Sequence, residues 1–187
     1  MPEWPYQLDR TIVIRATPET VFRYFTDSAR WAKWWGPGST VDARPGGQAY
    51  IRHPNGIEVL GDVLEVRSPE CFTFTYGFVG GKPIPPGSSR VTIRLEPDAD
   101  GTRLQLLHEF AEAQVRDDHV QGWRYQLSVF SNVVSSEVYA GAAGPVDAWF
   151  EAWAIADEAE RAKAFAEIAV PSVSFFDSSA CSPVWMI

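Results

Sequence analysis

The sequence predicts an α+β fold in which a curved antiparallel sheet wraps one long C-terminal helix, with a short helical appendage behind it. Three observations carry this. A strand-like start runs straight into two capped helices, five period-two segments follow between Ser39 and Phe110, and a helix-period stretch from about Asp118 to Tyr139 comes last.

Leu8 to Ala16 alternates apolar with polar well enough to read as a strand, although Arg10 interrupts one face. Thr17-Pro18-Glu19 then starts a helix: a Thr N-cap, Pro at the first helical position and an acid near the positive end of the dipole. Val21, Phe22 and Phe25 form its apolar stripe. Asp27 or Ser28 can cap a second helix in which Trp31, Trp34 and Trp35 fall on one face, before Gly36-Pro37 stops it.

Strands are expected over Gln48–His53, Ile57–Arg67, Glu70–Phe78, Arg90–Glu96 and Arg103–Phe110. They are divided by Pro45-Gly46-Gly47, Pro54-Asn55-Gly56, Ser68-Pro69 and Asp98-Ala99-Asp100-Gly101. In the third of them Phe72, Phe74, Tyr76 and Phe78 share one face, an aromatic wall. In the last, Leu104, Leu106, His108 and Phe110 share a side, which turns His108 inward and Glu109 outward. Val79 to Ser89 is long for a hairpin loop and could flank a cavity mouth. The long helix carries Val120, Trp123, Leu127, Phe130 and Val134 on one face.

Composition places a linker at residues 141–145, dividing a first domain, 1–140, from a tail, 146–187. In the tail, Pro145 opens a helix with Val146, Trp149, Phe150 and Trp153 on one face, and Asp157 with Glu160 starts a second helix that ends near Pro171. Ser172 to Phe176 could be a short strand.

A chain of 187 residues, 45% hydrophobic, can bury a real core. Its net charge of -8 argues against nucleic acid and anionic membrane as partners. Nothing in the N-terminal stretch resembles a secretion signal and no run of 18 apolar residues occurs, so the expected location is cytoplasmic. Cys71 and Cys181 stand far apart, and His53, His108 and His119 are scattered, which gives no support to a disulfide framework, a metal site or a cofactor. Eight tryptophans and 13% aromatic residues suit a lined pocket as well as a packed core.

The order strand, two helices, meander and long helix is that of the helix-grip, or START-like, fold. The stretches ATPETVFRYFTDSARWAKWWGP, DARPGG, GDVLEVRSPECFTFTYGF, GTRLQLLHEF and GWRYQLSVF resemble the AHSA-like branch of the SRPBCC superfamily, named for activators of a heat-shock chaperone ATPase, over residues 8–139. That superfamily includes lipid carriers, polyketide cyclases and chaperone activators. The segment VDAWFEAWAIADEAERAKAFAEIAVPSVSFFD resembles the opening of an NTF2-like (SnoaL-like) domain, cut short, in which Asp177 matches an acid near the pocket.

Three functions follow as expectations. The first is binding of a small, largely hydrophobic molecule in a cavity lined by Trp35, Phe72, Phe74, Tyr76, Phe78, Leu106, His108, Trp123 and Leu127, without evident catalysis. The second is an enzyme of cyclase or hydrolase type using His108 as general acid or base. The third is a protein-interaction or chaperone-activator-like module, with a homodimer formed through the tail tryptophans Trp149 and Trp153. Arg52, next to His53, could anchor an anionic head group if it points inward.

Overall fold

In the computed structural model, which describes residues 4–140 and 143–168, local chemistry makes the first corner. Strand β1 (Tyr6–Ile14) ends, the Thr17 hydroxyl accepts the backbone N–H of Thr20 at 3.4 Å, and Pro18 opens α1 (Pro18–Thr26). The Asp27 carboxylate accepts the N–H of Arg30 at 2.9 Å and caps α2 (Ser28–Trp35). Gly36 ends that helix with φ at 143°, where a Cβ would lie 2.4 Å from the Arg52 carbonyl oxygen. Glycine alone fits there.

Six more strands follow: β2 (Thr40–Val41), β3 (Gln48–Arg52), β4 (Glu58–Arg67), β5 (Cys71–Tyr76), β6 (Ser89–Asp98) and β7 (Gly101–Phe110). They form one sheet in the order β1-β7-β6-β5-β4-β3-β2, antiparallel throughout. The two-residue β2 is too short to leave a sequence pattern. β1 returns to pair with β7, Tyr6 opposite Phe110 and Ile14 opposite Thr102. β4 slips in register between Val63 and Glu65, next to Gly61, where a Cβ would overlap the Thr75 carbonyl. Such a slip bends its strand and curls the sheet.

Helix α3 (Ala113–Val138) packs against β1, β7, α1 and α2. It begins at Ala113 rather than Asp118 because its first two turns bury only Val115, too little to show as an apolar stripe. Between α3 and the sheet lies a solid aromatic core: Phe25 stacks on Phe130 at 5.0 Å and Phe72 at 6.1 Å, and Trp31 meets Phe74 edge-on at 5.7 Å.

The far end of α3 is fastened by charge. Glu137 accepts hydrogen bonds from the Arg30 guanidinium at 2.8 and 3.0 Å, from Lys33 at 2.8 Å and from the Tyr24 hydroxyl at 2.7 Å. The bonds from Lys33, Tyr24 and Arg30 pull its carboxyl down to about 2.

The chain divides by its contacts after Val138. The second unit contains α4 (Ala143–Trp153) and α5 (Glu158–Ile168), the latter capped by Asp157 accepting the N–H of Glu160 at 2.8 Å. Trp149 and Trp153 pack on Phe165, with ring centres at 4.4 and 5.1 Å. The strand expected at 172–176, together with Pro171, Asp177 and Cys181, lies outside the described residues.

Glu137→Gln is expected to lower stability by about 1–2 kcal/mol at pH 7, the figure for a charge-assisted cluster that is still partly open to water. Because the folded carboxyl is depressed from 4.5 to about 2, its contribution is present above 4.5 and is lost as the pH falls through that window. Denaturant unfolding of both proteins at pH 7 and pH 2.5 checks this: the gap between them should narrow markedly at the lower pH.

Candidate functional site

Beyond the aromatic core, the sheet and α3 diverge. An open cleft of about 350 Å³ lies there, walled by Trp35 at the end of α2, Tyr76 at the end of β5, and the turn His53-Pro54-Asn55 between β3 and β4. Its fourth side is α3, through His119, Gly122, Trp123, Tyr125 and Gln126. His119, Gly122, Trp123 and Gln126 recur at helical spacing and so share one face. Gln126 donates to the Trp34 carbonyl, tying that face to α2. A larger groove of about 500 Å³ runs between β1 and α3, past Arg10, Ile12, Arg124 and Leu127. The smaller cleft is the better candidate, because its walls are aromatic and hold polar atoms that the protein leaves unpaired.

His108 sits behind the cleft, fully buried. The Trp123 indole N–H donates to its Nδ1 at 2.8 Å, and its Nε2 lies 2.9 Å from the Ser89 hydroxyl. An indole can only donate, so Nδ1 holds the lone pair and Nε2 the proton. Nε2–H therefore donates to Ser89, whose hydroxyl donates to the Tyr76 carbonyl at 2.9 Å. Burial, with the nearby His119, holds the His108 pKa well below its ordinary value, so the ring is neutral. Neither nitrogen is open to a substrate.

The three histidines, scattered in sequence, come together here. The His119 ring lies 5.4 Å from that of His108 and 5.8 Å from Tyr76, and His53 meets Trp35 edge-on at 5.5 Å. The His119 Nδ1 lies 2.7 Å from the Val115 carbonyl, which can only accept, so Nδ1 carries the proton and Nε2 the lone pair. Burial lowers the pKa of both His119 and His53. Among the described residues, no three His, Cys, Asp or Glu side chains are placed to hold a metal ion.

Of the expected lining, Trp35, Tyr76 and Trp123 face the cleft. Phe72, Phe74 and Leu106 do not: each is at most 1% exposed and belongs to the solid core. The aromatic wall is thus divided, its first two rings met by Phe25 and Trp31 from the helices. Phe78 is partly buried and touches Tyr76 and His119, and Leu127 lines the groove beside β1. Arg52 points outward while Ile51 is fully buried, so no arginine reaches the cleft from that strand. Glu109 takes the face opposite His108, as expected, but is buried there, 8% exposed, where it pairs with Arg90 at 2.6 and 2.9 Å. His53, Asn55, His119 and Gln126 were not expected in the lining; the i, i+4 spacing of His119 and Trp123 is the signal that could have found one of them.

Sheet, gripped helix and lateral cleft define a helix-grip protein. The family model described as Activator of Hsp90 ATPase homolog 1-like protein matches residues 15–135, and the chain belongs to that family. Among solved structures it resembles protein CV1439 from Chromobacterium violaceum, with 26% identity over 70% of this chain and 98% of that one at a TM-score of 0.56. Protein Ms6760 from Mycobacterium smegmatis is 23% identical over 72% and 92% of the two chains, with a TM-score of 0.60. The Aha1 dimer from Colwellia psychrerythraea is 16% identical over 69% and 96%, also at 0.60. No curated protein matches.

His108→Leu removes the acceptor of the buried Trp123 N–H and the donor to the buried Ser89 oxygen and is expected to cost about 2–4 kcal/mol. Since the folded pKa lies below the ordinary 6.5, the stability tied to the neutral ring is complete above pH 6.5 and declines as the unfolded chain takes up its proton below that value. Imidazole ¹⁵N resonances from pH 8 to 5 should keep the Nε2–H pattern for His108; a titration centred near 6.5 would contradict the hydrogen-bond chain.

Proposed function

We propose that the protein binds a small, largely hydrophobic, ring-bearing molecule in the cleft between α3 and the β3–β4 turn, and holds it without chemically changing it. The observation that carries this reading is the combination of indole and phenol walls with a bare position on the helix. Gly122 lies mid-helix, where glycine costs about 1 kcal/mol relative to alanine. A Cβ built on it meets nothing within 4 Å, and Gly122 lines the cleft. The gap it leaves between Trp123 and Tyr125 is room for a guest. The occupation of both His108 nitrogens speaks against acid–base catalysis by that residue.

Gly122→Leu should fill the cleft from the helix side while leaving the fold intact. The expected result is a loss of 2-naphthol affinity of at least about tenfold, read by tryptophan fluorescence, with the melting temperature unchanged or raised. Equal affinity in the variant would place the ligand elsewhere.

A second reading, self-association through the tail, is favoured by a separate observation. Val146, Phe150 and Trp153 recur at i, i+4 and i+7 on α4 and are 50%, 68% and 53% exposed, an apolar stripe that suits a second copy of the same helix. Sedimentation velocity of the intact chain and of Phe150→Asp tests this: dimer for the first and monomer for the second is expected, and identical monomers would remove the reading.

A further inference from the structure

Three indoles of one helix differ in how their N–H groups are used. Trp31 donates to the Tyr50 carbonyl at 3.0 Å and Trp34 to the Tyr24 carbonyl at 3.2 Å. Trp35 Nε1 is buried and has no partner among the described residues. The neighbouring Trp123 donates to His108, so every other indole around the cleft is satisfied. The second orphan is His119 Nε2, likewise buried and unpartnered, and the proton on Nδ1 makes it an acceptor. Tyr76, 5% exposed, forms no hydrogen bond through its hydroxyl among the described residues, and burial keeps it a neutral phenol by raising its pKa. An unpaired buried donor or acceptor is costly, and native proteins rarely leave one without a use. Here two such groups stand at one cleft with the unbonded Tyr76 hydroxyl beside them, and all three rings line it.

The lining also lacks charge: it contains no Asp, Glu, Lys or Arg, and its two histidines are held toward the neutral form by burial. A carboxylate or ammonium entering such a site would lose its hydration without gaining a counter-ion. Resting on the ligand-binding reading above, we infer that the cleft selects a neutral aromatic hydroxy-ketone or its chemical equivalent: a flat ring carrying one carbonyl-type acceptor for the Trp35 N–H and one hydroxyl-type donor for His119 Nε2, with the Tyr76 hydroxyl able to serve either. Both nitrogens are buried and their rings are packed by neighbours, His53 edge-on to Trp35 at 5.5 Å, and Tyr76 and Phe78 each 5.8 Å from His119. Entry of the polar edge thus requires a neighbouring side chain to turn aside, and His53 on the β3–β4 turn is one that is only half-buried.

Four naphthalenes of similar shape separate the contributions: 6-hydroxy-2-acetylnaphthalene with both groups, 2-acetylnaphthalene with the acceptor, 2-naphthol with the donor and 2-ethylnaphthalene with neither. Affinity for the intact protein should rise by about fivefold to tenfold for each polar group added, and 6-hydroxy-2-naphthoate, ionised at pH 8, should bind more weakly than the hydroxy-ketone. The Trp35 indole ¹H–¹⁵N resonance should move downfield with the two acetyl compounds and not with 2-ethylnaphthalene. Trp35→Phe is expected to erase the acetyl advantage alone and His119→Phe the hydroxyl advantage alone; should either variant fail to fold, the indole resonance of the native protein still decides. Equal affinities for all four with an unmoved indole would overturn this inference and leave the aromatic-ligand reading standing. Binding by none of them would end both.

Discussion

One hydrogen-bond chain joins the gripped helix to the sheet, and the cleft takes its form from it. Trp123 on α3 donates to His108 on β7, His108 donates to Ser89 on β6, and Ser89 donates to the Tyr76 carbonyl on β5. Four elements are held in register by three bonds, all inside the protein, where each is stronger than in water and costly to leave unmade. The chain has a direction set by the indole, which can only donate, and this fixes the histidine tautomer without any charged neighbour. Trp123 and Tyr76, its two ends, are also walls of the cleft.

The other end of α3 is secured by different means. Glu137 gathers Arg30, Lys33 and Tyr24 from α1 and α2, a partly hydrated cluster that gives way to acid. Between the two anchorages lies the packed aromatic core of Phe25, Phe72, Phe74 and Phe130. Between these anchorages the helix leaves two openings, the groove beside β1 and the aromatic cleft past the end of β5.

Much of this was legible in the sequence. The caps at Thr17 and Asp27, the stop at Gly36 and the period of two in β5 and β7 are local signals, and each fixes its element. The strand faces were legible too, which is why His108 and Glu109 were expected on opposite faces, although the Glu109 face is itself covered and the residue buried. Alternation says which face a residue takes but not what meets it there. Phe72 and Tyr76 share a face, yet the first meets Phe25 and Trp31 while the second borders open space. The early start of α3 was hidden because its first turns bury a single valine; His119 lay within the expected helix, but its place in the lining was not read. The meeting of three histidines depends on the curl of the sheet and the crossing of α3, which no short-range pattern encodes.

The uncharged lining has a kinetic side. The protein carries a net charge of -8, but nothing at the mouth of the cleft focuses that field on a neutral guest, so encounter is unsteered and insensitive to ionic strength. Differences in affinity between guests must then arise almost entirely from how long each stays. On the proposed reading, residence time rather than speed of capture would distinguish one neutral guest from its near relatives, and the rings packed on Trp35 and His119 would set it.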